Sequence, residues 1–163
     1  MDYGMALALL GAGLAVFLPG IGSSMGIHVA SKNATAILSE KPERYSQFLI
    51  MVVLPGTQGF YGFLDALIVM VKLNFFGGGV PAVPLDTGLK VLFACLPVAI
   101  AGLITAIYQG RVSASGIMMA GKKPEMAFKA GVVYAVMVEI YAILGLLTTL
   151  FMLLFGINWP KPA

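Results

Sequence analysis

The sequence predicts an all-α integral membrane protein, in which four transmembrane helices form two tandem helical hairpins. Hydrophobic residues make up 60% of the chain and charged residues 10%, and the mean hydropathy is +0.96, which is far more apolar than a soluble domain. Four apolar runs are each long enough to cross a bilayer, which takes about 20 residues. The third observation is an internal repeat: Lys41-Pro42-Glu43 and Lys123-Pro124-Glu125 each precede an apolar run, so the hairpin unit occurs twice in the same orientation.

The repeat divides the chain into a first hairpin, residues 1–82, and a second hairpin, residues 83–163. Other aligned positions support the division, because Gly26 matches Gly110 and Gly62 matches Gly145. A connector rich in Gly and Pro, residues 77–84, joins the two hairpins as a turn or loop. The expected spans are about 4–30 and 46–71 in the first hairpin, and about 88–119 and 130–155 in the second.

The first span is crowded with small residues. Gly22 and Gly26 form a GxxxG step, which lets two helix backbones approach closely. Pro19 is expected to kink this helix. A polar loop is expected to follow, beginning at Ser31-Lys32-Asn33 and running to Arg44.

One face of the second span carries oxygen-bearing groups. Leu54, Thr57, Gln58 and Tyr61 follow the spacing i, i+3, i+4, i+7, which places them on one side of a helix. Pro55 lacks an N–H group, so the backbone just before it lacks one helical hydrogen bond. The face therefore offers a hydroxyl, an amide, a phenol and a loosened stretch of backbone.

The fourth span carries one acid in an otherwise uncharged run. Glu139 is the only charged residue between Ala130 and Phe155. A carboxylate in the hydrocarbon costs at least about 2.5 kcal/mol, so such a residue normally serves an ion path or pairs with a partner. Glu139 is therefore the first candidate for a functional residue, and a protonated Glu that only helps helices to pack is the alternative.

Polar positions on three spans lie at nearly the same membrane depth. Counted from the equivalent residues of the two polar loops, Glu139 and Thr57 lie equally far into their spans, and Gln109 of the third span lies almost as deep. The matched depths predict that the Glu139 carboxylate, the Thr57 and Gln58 side chains and the Gln109 amide converge in a cage of oxygens. Hard cations prefer such ligands, and one carboxylate matches a monovalent ion. Hydrogen bonding between helices without any ion is the alternative.

The basic residues predict the orientation in the membrane. Cytoplasmic loops carry an excess of Lys and Arg, which places both hairpin loops in the cytoplasm and both chain termini outside. Seven of the 10 basic residues lie in or beside the two loops: Lys32, Lys41, Arg44, Arg111, Lys122, Lys123 and Lys129.

The motifs LPGTQGFYGF, AIYQG, GKKPE and VEIYAILG, in this order, resemble the proteolipid (K or c-type) subunit of bacterial V-type rotary ATPases, especially its sodium-translocating members. The resemblance covers all four spans. It implies a homo-oligomeric rotor ring in the cell membrane that turns against a membrane stator subunit, with central-stalk subunits seated on the cytoplasmic loops and with lipid around it. It implies Na⁺ ligands at Glu139, Thr57, Gln58, Gln109 and the backbone carbonyl of Leu54, with Tyr61 hydrogen-bonded to Glu139.

Several classes of function are disfavoured by the sequence. There is no GxxxxGK nucleotide-binding loop, so we expect no catalytic centre in this chain, and ATP chemistry belongs to partner subunits. One His and a single Cys argue against a zinc or redox site. We expect no organic cofactor and no nucleic acid. The same rotor carrying H⁺ stays open as the alternative, and a small four-helix cation or drug antiporter is a more distant one.

One acid does not fit the resemblance. Asp65 extends the face of Gln58 and Tyr61 by a further turn, towards the outer side. Three roles are open: a solvated acid at the interface, which we favour, a partner of Lys72 or of a neighbouring subunit, or a group that attracts cations to the outer access path.

Overall fold

The computed structural model describes residues 2–79 and 81–160, so Val80 of the connector and Lys161 of the C-terminal tail lie outside it. Within the described residues the chain is all-helical, and four helical segments are long and apolar enough to cross a membrane. The all-α, four-span prediction is thereby confirmed. The elements are α1 Tyr3–Leu38, α2 Tyr45–Val53, α3 Thr57–Lys72, α4 Leu85–Lys122 and α5 Val133–Phe155, with short 3₁₀ turns at Pro42–Arg44 and Leu54–Gly56 and a π-helical turn at Ala127–Val132.

The first helix is longer than the span that hydropathy indicates. It continues through Pro19 and through the polar residues after Ala30 to Leu38. The loop expected at Ser31-Lys32-Asn33 is therefore wrong. Polar residues do not end a helix in water when their side chains bond to their own helix. Here the Asn33 Nδ2 donates to the Val29 carbonyl at 2.9 Å.

The second membrane-crossing segment consists of α2, a 3₁₀ turn and α3. Pro55 lies in the middle of that turn, where its ring removes a backbone N–H and tightens the helix. The interruption falls at the depth of the predicted cage. The backbone irregularity thus coincides with the functional face.

The first and third segments, α1 and α4, run parallel and touch at repeat-related positions. Gly4 packs on Gly88, and further along the same two helices Gly26 packs on Gly110. A Cβ atom at any of these glycines would overlap the facing backbone. Gly22, the other half of the GxxxG step, packs on the backbone of α4 as well. The GxxxG step therefore joins the two hairpins within one chain.

Helices α3 and α5 each pack through a glycine against the other long helix of their own hairpin. Gly62 of α3 packs against Ala15 of α1, and Gly145 of α5 packs against Ala101 of α4. Each hairpin is thus closed by an equivalent glycine. The cage residues occupy a polar layer between two clusters of buried apolar residues, one around Val69, Val91 and Leu153 and the other around Phe48, Met51 and Ile117.

The two hairpins are also joined at both ends of the bundle. At one end, the Lys41 Nζ donates to the Gly121 carbonyl and the Arg44 Nη1 to the Ala120 carbonyl, both at 3.1 Å. These cations satisfy carbonyls at the C-terminus of α4, where the helix dipole is negative. At the other end, the Asp2 carboxylate accepts from backbone N–H groups of both hairpins.

Candidate ion-binding site

The Glu139 carboxylate lies at the centre of a four-donor network. It is 7% exposed, and each of its two oxygens accepts two hydrogen bonds. Oε1 accepts from the Thr57 hydroxyl at 2.6 Å and from the Tyr61 phenol. Oε2 accepts from the Gln109 Nε2 at 2.6 Å and from the Gln58 Nε2 at 3.2 Å. The structure therefore brings together every side chain that the sequence placed in the cage.

Four donors directed at one carboxyl group match the hydrogen-bonding capacity of a carboxylate. A carboxylate has about four lone-pair sites and no donor, whereas the protonated acid must donate its own hydrogen. All four sites of Glu139 lie within hydrogen-bond distance of a donor here, and the Thr57 hydroxyl can also donate to the Leu54 carbonyl. This polar site lies between two apolar layers.

The backbone carbonyl of Ala135 fixes the orientation of both glutamine amides. The Gln109 Nε2 donates to this carbonyl at 3.0 Å, and a carbonyl accepts only from the nitrogen end of an amide. The Gln109 Oε1 must then face Gln58, whose Nε2 donates to it at 2.7 Å. The Gln58 Oε1 is consequently turned towards Thr57. Ala135 lies one turn before Glu139 on the same helix, and sequence reasoning missed it because its contribution is a backbone atom.

Thr57 lies at the centre of a smaller group of oxygens. Its Oγ1 is 2.6 Å from the Glu139 Oε1, 2.9 Å from the Leu54 carbonyl and 3.4 Å from the Gln58 Oε1. One hydroxyl hydrogen can serve only one of these acceptors at a time. The Thr57 Oγ1 and the three oxygens around it thus form a group of four, to which a small oxygen-preferring cation could bind.

Two glycines and a serine let the functional helix lie close to α1. The backbone N–H of Gly59 donates to the Ser23 Oγ at 3.0 Å, and Gly62 packs against the backbone of α1 one turn further on. This contact holds α3 against the bundle, so its Thr57–Tyr61 face is turned towards Glu139. The sequence showed these glycines but not that a serine of α1 is their partner.

Asp65 is not the solvated interfacial acid that the sequence favoured. Its side chain is 0% exposed, and neither carboxylate oxygen has a hydrogen-bond partner among the described residues. Lys72 is exposed and makes no ion pair with it. The face that continues from Gln58 turns inward, into the apolar cluster, because the helix packs against α1 along its length.

The chain is similar to known proteins along almost its whole length. A family model described as the C subunit of ATP synthase matches twice, over residues 10–69 and 92–152. The V-type sodium ATPase subunit K of Enterococcus hirae is 41% identical, over 94% of this chain and 98% of that protein. The A-type ATP synthase subunit K of Methanocaldococcus jannaschii is 31% identical over 91% of this chain, which spans 62% of that longer protein. The 16 kDa proteolipid of the V-type proton ATPase of Homo sapiens is 24% identical over 91% of this chain and 92% of that protein.

The matches have the same layout as the fold. One copy of the family model covers most of α1 to α3 and the other covers most of α4 and α5, so the similarity includes both halves of the bundle and the residues around Glu139. The identity of 41% extends over 160 residues. The chain therefore belongs to the ATP synthase C-subunit family, the rotor-ring proteolipids of rotary ATPases.

Proposed function

We propose that this rotor subunit binds Na⁺ at Glu139 and carries it through the membrane as the ring turns. The observation that carries the proposal is the carboxylate of Glu139, on which four donors from two other helices converge. An anion there needs a cation to cross the hydrocarbon in neutral form. The relative from Enterococcus hirae is a subunit of a sodium ATPase, which supports the same cation.

The proposed ligands are Glu139, Thr57, Gln58, Gln109 and the Leu54 carbonyl. All of these except Gln109 already present oxygens at or around the Thr57 hydroxyl. The Gln109 Oε1 accepts one hydrogen bond, from the Gln58 Nε2, and its second lone pair is the one it would offer to the ion. The Tyr61 phenol donates to Glu139 and holds the carboxylate in position. One negative charge among neutral oxygens suits a monovalent ion better than a divalent one.

Transport by this arrangement requires rotation. Apolar clusters lie on both sides of the polar layer, so no polar track crosses the subunit within the described residues. An ion must therefore load from one side, travel with the subunit and leave on the other side. A basic residue of a membrane stator subunit would displace the ion by competing for Glu139.

The remaining assignments extend the same proposal. The protein consists of two hairpins, 1–82 and 83–163, and joins identical copies in the ring. The hairpin loops face the cytoplasm, where they seat the central stalk, and both termini lie outside. ATP is hydrolysed or made in partner subunits, since this chain has no nucleotide-binding loop.

A proton rotor is the second candidate. The 16 kDa proteolipids of Homo sapiens and Bos taurus belong to V-type proton ATPases, and each is 24% identical to this chain. A proton needs the carboxylate and one acceptor, whereas the group around Thr57 contains three further oxygens. These additional oxygens favour Na⁺. Family membership favours either rotor over the four-helix antiporter.

The experiment that tests the proposal is protection of Glu139 from a hydrophobic carbodiimide, measured in the assembled ATPase. The reagent modifies protonated carboxyl groups, and each modified residue is identified by mass spectrometry of its peptide. We expect Na⁺, but not the same concentration of choline, to slow modification of Glu139 at neutral pH. Equal rates in both salts would contradict a sodium site and favour the proton rotor.

A further inference from the structure

Asp65 is a second acid inside the membrane bundle, and the proposed transport cycle does not use it. It lies midway between Gln58 and Lys72 on α3, about 10 Å along the helix from each. Its carboxyl group is therefore well inside the span. It is 0% exposed, more completely buried than Glu139 at 7%.

The two acids differ in what surrounds them. Glu139 accepts four hydrogen bonds, whereas no donor in the described residues reaches either oxygen of Asp65. Ser23 and Thr149 accept from backbone N–H groups of neighbouring helices, and among the described residues no hydroxyl donates to Asp65. A full set of donors is thus present at one acid and absent at the other.

The helices packed against Asp65 bring no compensating charge. On α1 no titratable residue occurs between Tyr3 and His28, and its buried face is formed largely by Ala and Gly. On α4 the titratable neighbour is Cys95, a buried thiol. On α3 itself Tyr61 donates to the acid of α5 and so is directed to the other site.

An unpaired anion cannot be held in such surroundings, because neither solvent nor a donor nor a cation offsets its charge. The neutral acid is the form that fits. A metal ion would need several oxygens, and no cluster of three or more metal-binding side chains occurs in the described part of the chain. The ligand that suits this carboxyl group is a proton.

We infer that Asp65 is a second, proton-binding site of the subunit, which keeps its proton while the Glu139 site exchanges its cation. The two sites differ in the ion they accept because one has convergent oxygens and donors and the other has neither. This inference goes beyond the proposed function. It also holds whichever cation Glu139 carries, so its test can fail without affecting that proposal.

Infrared spectroscopy tests the inference, since the carbonyl stretch of a protonated carboxyl group is separate from that of a carboxylate. The sample is the full-length Glu139→Gln protein at neutral pH, purified in a detergent that contains no carbonyl group. We expect one protonated-carboxyl band in this protein and none in the Glu139→Gln, Asp65→Asn double variant. The other five acids are exposed to solvent: Asp2, Glu40, Glu43, Asp86 and Glu125.

If the double variant does not fold, isotope labelling assigns the protonated-carboxyl band instead. Aspartate labelled with ¹³C in its side-chain carboxyl group should shift the band, and among the three Asp residues only Asp65 is buried. Absence of the band, or a band whose frequency does not change with the ¹³C label, would overturn the inference.

Transport measurements test the second half of the inference, that the proton stays in place. A single Asp65→Asn variant in the assembled ATPase should transport cations within about twofold of the wild-type rate, because a retained proton takes no part in the exchange at Glu139. Loss of transport in a folded variant would show that Asp65 exchanges with the transported ion and would equally overturn the inference.

Discussion

At Glu139 the two carboxylate oxygens accept hydrogen bonds in the structure and, in the proposed function, bind the transported cation. A hydrogen bond to a charged group contributes about 1.5–3 kcal/mol, so each of the four donors contributes to the energy of the site. In the proposed function, a cation that binds the Glu139 Oε1 replaces the hydrogen bond that the Thr57 hydroxyl donates to this oxygen. The affinity of the site is therefore a difference between two well-bonded states, and small changes in one donor should be measurable.

The first prediction at this scale concerns the charge. Glu139→Gln should abolish coupled cation transport and leave assembly largely intact, because glutamine keeps the size of the side chain and removes its charge. Transport is measured as uptake of radioactive sodium by vesicles that contain the assembled ATPase. The control is Asp86→Asn, which removes an exposed acid. Normal uptake by the Glu139→Gln vesicles would contradict the assignment.

The second prediction concerns the shared hydroxyl. Thr57→Val should weaken Na⁺ binding roughly tenfold or more, since a hydrogen bond to a charged group contributes about 1.5 kcal/mol or more. Proton binding should change less, because the carboxylate remains. Thr148→Val is the matched control, as the Thr148 hydroxyl donates only to the Leu144 carbonyl of its own helix. Equal dissociation constants for Na⁺ in all three proteins would show that Thr57 only joins helices.

The sequence predicted the members of the site better than their hydrogen bonds. It could not give the orientation of the amides, which depends on the Ala135 carbonyl. Nor could it give the burial of Asp65, because position along one helix does not determine which neighbouring helix covers a face. Spacing and depth did identify the residues that the structure brings together: Glu139, Thr57, Gln58, Gln109 and Tyr61.

At the scale of the helices, the 3₁₀ turn at Pro55 is part of the site. Pro55→Ala should let the segment relax towards an α-helix, turn the Leu54 carbonyl along the helix axis and lower the affinity for Na⁺ by roughly tenfold, about 1.4 kcal/mol. Thermal stability should change little, because the gain in helical hydrogen bonding offsets the loss of proline packing. Pro97→Ala in α4 is the control, since Pro97 lies in a membrane helix away from the cage. Unchanged Na⁺ affinity in Pro55→Ala would remove the turn from the site.

The contact between α1 and α4 gives a prediction about packing. Gly110→Ala should destabilise the protein by about 1–3 kcal/mol, because the added Cβ would overlap the backbone of Gly26. Gly13→Ala should be neutral or slightly stabilising, since a Cβ there meets no atom within 4 Å in the single chain. Thermal unfolding in detergent compares the two. Equal melting temperatures for both variants would contradict the close parallel contact.

Helix boundaries were the weakest part of the prediction from sequence, for a physical reason. Hydropathy reports the thickness of the hydrocarbon, whereas a helix ends where its backbone bonds end. The extension of α1 to Leu38 and of α4 to Lys122 therefore lies beyond the apolar runs. The π-helical turn at Ala127–Val132 likewise left no signal in the apolar pattern.

At the scale of the whole molecule, Asp2 joins the start of α1 to the chain before α4. The backbone N–H groups of Met5 and Val83 hold the pKa of this exposed carboxyl group below its usual value. A lowered pKa means that the link stabilises the fold above the ordinary pKa of Asp, about 3.9, and is lost as the pH falls through the lowered value. Asp2→Asn should lower the melting temperature slightly near neutral pH, and the difference from wild type should vanish in acid. A difference that does not depend on pH would contradict an ionised link.

In the proposed transport cycle one carboxylate serves two hairpins, and this sets how many ions a ring moves in one revolution. Counted back from the matched glycines Gly62 and Gly145, Gly56 is the position in the first hairpin that corresponds to Glu139 in the second, so in the proposed cycle one half of each subunit carries no ion. A ring of such subunits moves half as many ions per revolution as a ring of the same number of hairpins with an acid in each. The work of one revolution is then divided among fewer ions, and each ion can be driven against twice the electrochemical potential. With a glycine at position 56, the rotor therefore moves fewer ions per revolution but can sustain a steeper ion gradient.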